Sequence, residues 1–295
     1  MTVRVGELQS LVAEELALPV EPQVTAMAAA IAAKHATARA VLFYGSCLRE
    51  TQLDGLMLDF YLIVGDYDQA FGKAWMATAN RLLPPNVFPF EQGGLIAKYA
   101  VLSEADFHRL NGPEADNVSV WARFAQPSRL VWAADDEARG TATASVARAA
   151  PTLFAMTLPL MAADTDPLDI WRTGFARTYR AELRAERANR PGSVVDAAPD
   201  RYARFAAPAQ EAVQDMLSIP AAERRWRSFT RRGKALTVAR LLKATFTYAG
   251  GIDYLAWKIS RHSGQPIEIS PWQRRHPILG AATLVPRLLA RGAIR

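Results

Sequence analysis

Two apolar runs separated by a Gly-Ser turn decide the fold of this chain. Residues 40–46 read Ala-Val-Leu-Phe-Tyr-Gly-Ser, and residues 56–64 read Leu-Met-Leu-Asp-Phe-Tyr-Leu-Ile-Val. Both runs are short, apolar and partly β-branched or aromatic, which is typical of buried strands. Asp59 is the one charged residue in the second run. Because burying a bare carboxylate is costly, its side chain needs a partner.

The segments around these runs predict an α+β fold. Helical periodicity marks most of the other segments, at residues 6–18, 23–35, 66–83, 141–162, 167–188, 200–217, 221–261 and 278–291. Two further strands are expected at residues 96–102 and 129–133. We therefore expect an α/β domain over residues 1–135, a helical domain over 136–220 and a basic helical C-terminal region over 221–295.

The positive charge of the chain is concentrated in its last quarter. Its 295 residues carry 35 Lys+Arg and 29 Asp+Glu, for a formal net charge of +6. Residues 221–295 hold 15 of the basic residues and 3 of the acidic ones. A basic region on an acidic body suits an anionic partner, which can be nucleic acid, a phospholipid surface or a phosphorylated substrate. No named nucleic-acid-binding motif is present, so no nucleic-acid partner is expected.

Composition and the N-terminal sequence restrict the class of protein further. The single cysteine, Cys47, excludes a disulfide framework within the chain. No apolar run reaches the length of a membrane-spanning helix. The N-terminal residues include three glutamates and lack the pattern of a signal peptide. We expect a cytoplasmic protein without a transmembrane helix, peripheral on the inner face of the cell membrane.

The order of strand, Gly-Ser turn and strand with an inward carboxylate resembles nucleotidyltransferases of the polymerase-β type. In such a layout Gly45 lets the backbone approach a phosphate, and Ser46 with exposed N–H groups holds a triphosphate. Asp59 would hold Mg²⁺, which neutralises the phosphates. The usual pattern is Asp-x-Asp, but Tyr61 stands at the second position here. Candidates for a completing carboxylate are Glu50, Asp54 and Asp66, and the sequence does not choose among them.

A closer resemblance is carried by several short motifs in a fixed order. They are Tyr44-Gly-Ser46, Met57-Leu-Asp-Phe60, Lys98-Tyr-Ala-Val-Leu102, Ala122-Arg123-Phe124 with Gln126-Pro127, Leu158-Pro159, Arg231-Arg-Gly-Lys234 and Thr247-Tyr-Ala-Gly-Gly251. Their order and spacing resemble the mitochondrial-type phosphatidate cytidylyltransferases, a family that makes CDP-diacylglycerol from CTP and phosphatidic acid. The family's aspartate strand is similar to Asp-Phe-x-Phe, which accommodates Tyr61. Its Tyr-x-Gly-Asp stretch in the helical domain is not kept, since Thr178-Tyr-Arg180 stands there.

The resemblance implies roles for individual residues. Tyr44, Gly45 and Ser46 would bind the phosphates of CTP. Asp59 would hold Mg²⁺ and, with Lys98 near the phosphates, form the catalytic pair. Arg123 matches an arginine of the family and would pair with phosphate in a bidentate manner. The implied partners are CTP, phosphatidic acid and an anionic membrane surface.

Simpler structural roles remain open for each of these residues. Asp59 could pair with an arginine or cap a turn, Lys98 could lie in solvent, and Arg123 could bridge domains through a carboxylate. The basic C-terminal region, in which Trp226 and Phe229 lie among arginines, suits docking on an anionic bilayer, or it is a solvated helix face with core tryptophans. Alternative functions are nucleotidyl transfer to another acceptor and an inactive membrane-binding module.

Overall fold

The computed structural model describes residues 2–49, 53, 55–182, 194–247 and 269–272, and its fold is α+β, as predicted. The strands are β1 (Ala38–Tyr44), β2 (Met57–Val64), β3 (Asn86–Gln92), β4 (Leu95–Ser103) and β5 (Ser128–Ala133). The helices of the first half are α1 (Thr2–Leu16), α2 (Pro22–Ala32), α3 (Tyr67–Ala70), α4 (Ala74–Leu82), α5 (Glu104–Asn111) and α6 (Trp121–Phe124). They are followed by α7 (Asp136–Ala147), α8 (Ala149–Thr157), α9 (Pro167–Ala181), α10 (Pro199–Glu211) and α11 (Ile219–Thr247). Short 3₁₀ turns span Ser46–Arg49 and Leu158–Leu160.

The five strands form one mixed sheet in the order β3-β4-β2-β1-β5. The β2–β4 pair is parallel, and the other three pairs are antiparallel. A parallel pair needs a crossover connection, and here α3, α4 and β3 supply it between β2 and β4. The central strands β1 and β2 are the two apolar runs of the sequence, so the runs identified there form the middle of the sheet.

The side chains on the two faces of the sheet belong to two hydrophobic clusters, because successive residues of a strand point to opposite faces. Val41, Phe43 and Phe60 pack on the side of α2. Leu42 and Ile63 face the other side, where the cluster continues into α8, α9 and α10. This second cluster runs without a break from the sheet into helices that follow residue 135. Helices α1, α5 and α7 contact the sheet on this face, and α8, α9 and α10 continue the same cluster.

Several local features differ from the sequence-based expectation. The helix expected over residues 141–162 is α7, which begins at Asp136, then α8 and a 3₁₀ turn. The helix expected over residues 66–83 is two helices, because the chain is extended at Phe71 and turns through Gly72 before α4 begins. β3 was not among the expected strands, and it contains Pro89, which cannot donate to a ladder and is unfavourable in a central strand. Pro89 is tolerated because β3 is the edge strand, paired on one side to β4. Part of the expected C-terminal structure, including the helix over residues 278–291, lies outside the described residues.

Gly233 permits a close contact between α11 and the end of α9. A Cβ built at this position would lie 2.1 Å from the backbone carbonyl oxygen of Ala181. We expect Gly233→Ala to lower the free energy of unfolding by about 2–3 kcal/mol, since overpacking forces backbone shifts. Chemical denaturation followed by circular dichroism measures the change. The control is Gly140→Ala in α7, which meets nothing within 4 Å and should be neutral or stabilising; equal effects of the two substitutions would contradict the contact.

Within the described residues, no helix has the length and apolar character needed to cross a membrane. This agrees with the expectation from the sequence.

Candidate active site

The register of the sheet aligns three of the predicted site residues on neighbouring strands. Tyr44 at the end of β1 is paired with Asp59 of β2, and Asp59 is paired with Lys98 of β4. Residues directly opposite each other point to the same face of a sheet. The Lys98 ammonium lies 2.7 Å from Asp59 Oδ1, and both side chains are about one quarter exposed. The partner of the partly buried Asp59 carboxylate is therefore Lys98, from the neighbouring strand.

The turn after β1 brings backbone against this carboxylate. Gly45 has φ +98°, a conformation that glycine adopts without a steric penalty. A Cβ at this position would lie 3.4 Å from Asp59 Oδ2. Because glycine has no side chain, the space beside that oxygen stays open. Ser46 follows at the start of the 3₁₀ turn and is exposed, so its hydroxyl is accessible at the same edge.

Arg123 reaches the same place from α6. Its Nη1 donates to the carbonyl of Ser119 and to Glu182 Oε1, the latter at 3.4 Å. Burial opposes the charge of Arg123, but Glu182, Tyr61, Tyr44 and Asp59 favour it, so its pKa lies above the usual value. Arg123 thus keeps its charge in a position 29% exposed, while Glu182 is 10% exposed. The carboxylate that was expected as a partner of Arg123 is Glu182. This ion pair does not exclude a phosphate contact by the same guanidinium.

Two tyrosines separate the charged groups from the apolar core. The rings of Tyr44 and Tyr61 lie 5.3 Å apart, and each packs against Phe124. Burial raises the pKa of Tyr44 well above its usual range, Asp59 adds to the effect, and Arg123 partly offsets it. Burial also raises the pKa of Tyr61. Both phenols therefore stay neutral, and Tyr61 does not replace a second metal-binding carboxylate.

The long helix α11 adds two cations that the sequence did not assign to the site. Arg240 donates from Nε to Pro84 O at 2.8 Å and from Nη1 to Ser119 Oγ at 3.0 Å. Lys243 donates to the carbonyls of Leu83 and Pro85. Burial, with a smaller contribution from Arg240, lowers the pKa of Lys243 to about 7. The basic character of residues 221–295 was visible in the sequence, but not which side chains meet the sheet.

The position of Asp66 excludes it as a completing metal ligand. Asp66 lies beyond the far end of β2, where its Oδ1 accepts from the backbone N–H groups of α3. Asp59 and the last residue of β2, Val64, are five residue steps apart, or roughly 16 Å of extended strand, and Asp66 lies beyond Val64. Glu50 and Asp54 lie outside the described residues. Within the part of the chain that the structure describes, no group of three or more His, Cys, Asp or Glu is arranged to hold a metal.

The remaining nucleophile and base candidates are structural. Cys47 is buried in the cluster on the α2 side of the sheet. His35 contacts Ala70 O and the hydroxyl of Tyr99, and burial lowers its pKa. His108 contacts Ser145 Oγ, and burial lowers its pKa as well. Cys47 Sγ donates to Met57 O, and the hydrogen bonds of His35 and His108 go to partners other than Cys47.

In the basic stretch of α11 the aromatic side chains are buried and most of the basic side chains are exposed. Trp226 and Phe229 are each 3% exposed and belong to the core, where Trp226 Nε1 donates to Met156 O. Arg224, Arg227, Arg231, Arg232 and Lys234 are exposed. Of the two alternatives for this region, the burial of Trp226 and Phe229 supports the second, a solvated basic helix face with aromatic residues in the core. The exposed basic side chains remain available to an anionic surface.

The Arg123–Glu182 pair predicts a stability effect. Replacing Arg123 with methionine removes the positive charge that Glu182 contacts in a largely buried place, and we expect the free energy of unfolding to fall by about 3 kcal/mol. Urea denaturation measures the change. The matched control is Arg81→Met, which removes an exposed pair with Asp68 and should cost less than about 1 kcal/mol. A loss at Arg123 no larger than that at Arg81 would show that the pair is screened by solvent.

Compared with models of known protein families and with curated proteins, the chain matches none. The function is therefore inferred from the geometry of the site and from the motifs that carry the resemblance.

Proposed function

We propose that this protein is a Mg²⁺-dependent phosphatidate cytidylyltransferase with a polymerase-β-type nucleotidyltransferase fold. The observation that carries the proposal is the meeting of Gly45, Asp59 and Lys98 at one edge of the sheet, with Arg123 beside them. A carboxylate next to open backbone and several cations is suited to a metal–triphosphate complex. The choice of CTP and phosphatidic acid comes from the motif resemblance.

The donor set is compatible with Mg²⁺ bound together with a nucleotide. Mg²⁺ in nucleotide sites is held by one or two carboxylates plus substrate phosphates and waters. Asp59 Oδ2 faces the space that Gly45 leaves open, and it is the carboxylate oxygen that would hold the ion. The bound ion would supply charge neutralisation of the triphosphate.

The protein contributes positioning and positive charge to the reaction. A phosphate oxygen of phosphatidic acid forms a bond to the α-phosphorus of CTP, and the bond from that phosphorus to the bridging oxygen of the β-phosphate breaks. The products are CDP-diacylglycerol and pyrophosphate. A phosphate dianion is already a nucleophile, so no general base is needed. Lys98 and Arg123 would hold phosphate oxygens and stabilise the developing charge.

Exposed arginines support an anionic lipid surface as the source of the acceptor. Helices α9 and α11 line a groove of about 290 Å³. Its lining includes the exposed Arg180, Arg227 and Arg231, together with Arg177, which is paired with Glu223 of the same groove. Basic side chains near an anionic bilayer contribute about 1 kcal/mol each to binding. The surface can therefore bring the active site close to phosphatidic acid without an apolar membrane anchor.

An acceptor panel tests this proposal. The purified chain is incubated with Mg²⁺, each of the four ribonucleoside triphosphates, and vesicles that contain phosphatidic acid, phosphatidylglycerol or neutral lipid alone. Pyrophosphate release and lipid products are measured together. We expect release with CTP and phosphatidic acid only, accompanied by CDP-diacylglycerol.

Other outcomes of the panel would favour the alternative functions. Pyrophosphate release with a different acceptor or nucleotide would indicate a nucleotidyltransferase with another substrate. Vesicle binding without turnover, and without protection by CTP against thermal unfolding, would indicate an inactive membrane-binding module. The second alternative has a specific observation behind it, since Asp59 and Glu182 are already engaged in ion pairs with Lys98 and Arg123.

A further inference from the structure

Ser119 holds two guanidinium groups side by side. Its backbone carbonyl accepts from Arg123 Nη1, and its hydroxyl accepts from Arg240 Nη1 at 3.0 Å. Ser119 is itself buried, and its hydroxyl donates to Asn117 Oδ1. Arg240 is fixed at a second point by Pro84 O. The two arginines come from α6 and α11, which are more than a hundred residues apart in the chain, and they are brought together in a defined geometry.

The charge around this pair is not balanced. Glu182 is in ion-pair contact with Arg123. Glu182 and Asp116 act on Arg240 only at longer range, and within the described residues no carboxylate lies within 4.0 Å of Arg240. Lys243 adds a further basic group close to Arg240. Like charges held together in a half-buried place repel each other unless an anion lies between them.

The N–H groups of Arg240 that remain available can donate hydrogen bonds to a phosphate. Arg240 uses Nε and one Nη1 hydrogen bond to fix itself, while its Nη2 makes no hydrogen bond to the described part of the protein. Guanidinium groups bind phosphate oxygens through parallel N–H donors. Tyr61 lies near both arginines and is neutral, so it adds no competing negative charge.

The position of the pair relative to Asp59 indicates which phosphates it would meet. Asp59 acts electrostatically on Arg123, and Arg240 is linked to Arg123 through Ser119, whose hydroxyl and carbonyl oxygens accept from the two guanidinium groups. A triphosphate whose α-phosphate is at Asp59 would extend its β- and γ-phosphates toward the arginines. We propose that Arg123 and Arg240 form a paired site for the pyrophosphate part of the nucleotide, with Arg240 supplied by the long basic helix.

This inference rests on the proposed function, but its test needs neither nucleotide nor lipid. Inorganic pyrophosphate is titrated into the purified full chain by isothermal titration calorimetry, with and without Mg²⁺. We expect Arg240→Gln to weaken pyrophosphate binding by about 10-fold or more, as the loss of a charged hydrogen-bond pair predicts. The matched control is Arg232→Gln, an exposed arginine of the same helix, which should bind pyrophosphate as the wild type does.

Arg240→Lys keeps the charge but loses the planar fork, and it serves as the second variant if Arg240→Gln does not fold. We expect it to bind pyrophosphate about threefold to tenfold more weakly than the wild type. Wild-type affinity in the folded Arg240 variants, an equal loss in Arg232→Gln, or no pyrophosphate binding by the wild type would each overturn the inference.

The outcomes separate this inference from the proposed function. Pyrophosphate binding that depends on Arg240, in a protein that transfers no nucleotidyl group, would leave the paired site standing and overturn the proposed reaction. Transfer from CTP, together with pyrophosphate binding that does not depend on Arg240, would support the proposed reaction and overturn the paired site.

Discussion

Replacing Asp59 with asparagine is expected to lower kcat/KM for CTP by about 10³-fold while the protein stays folded. The substitution keeps the shape of the side chain but removes the charge that would hold Mg²⁺, and loss of such an electrostatic contribution has effects of this order. It also leaves the Lys98 ammonium without its counter-charge 2.7 Å away. A stability loss of about 1–3 kcal/mol should accompany the loss of activity. Steady-state kinetics and urea denaturation measure the two effects separately.

Asp66→Asn is the matched control for this substitution. Asp66 is an aspartate of the same chain segment, but it caps α3 beyond the far end of β2. Asparagine caps helices about as well as aspartate does, so both stability and activity should remain close to those of the wild type. Activity that survives in Asp59→Asn, or falls equally in Asp66→Asn, would remove Asp59 from the active site.

Gly45→Ala is expected to lower activity by about 10²-fold. At φ +98° an alanine is strained by about 1–2 kcal/mol, and its methyl group would fill the space 3.4 Å from Asp59 Oδ2. A phosphate or metal that uses this space would be displaced, and displacements near 1 Å have rate effects of this size. Initial rates at saturating and limiting CTP show whether the loss is in KM, in kcat or in both.

Gly94→Ala separates backbone strain from loss of the open space. Gly94 has φ +81° in the turn between β3 and β4, and a Cβ there would meet nothing within 4 Å. We expect a similar loss of stability in both variants and a loss of activity in Gly45→Ala alone. If Gly94→Ala is equally inactive, the effect of Gly45 is a matter of folding rather than of the site.

The central strands and the turn were predictable because their signals are local. The apolar runs, the Gly-Ser turn and the charged residue inside a strand all lie within 25 residues, and strand pairing then fixes Tyr44 opposite Asp59. Lys98 was placed by the motif resemblance, and the parallel register of β2 with β4 brings it to the carboxylate. The α+β class followed from the same patterns.

The contacts of α11 were not predictable from the sequence because they are long-range. Arg240 and Ser119 are 121 residues apart, and the composition of a basic helix does not specify which arginine turns inward. The same limit explains why the sequence left Trp226 and Phe229 open between a bilayer and the protein core, since helical spacing shows that they share a face but not what covers it. β3 was not predicted. It tolerates Pro89 because it is an edge strand, and that position is a property of the assembled sheet.

The most direct test of the central claim follows the α-phosphate of CTP. The purified chain is incubated with Mg²⁺, vesicles containing phosphatidic acid, and CTP labelled with ³²P at either the α- or the γ-position, and the lipid is extracted. The account predicts that the α-label enters CDP-diacylglycerol and that the γ-label leaves as pyrophosphate. Asp59→Asn should put no α-label into lipid and release no labelled pyrophosphate, while Asp66→Asn should behave as the wild type. No α-label in lipid with the wild-type protein, or equal transfer by Asp59→Asn, would contradict it.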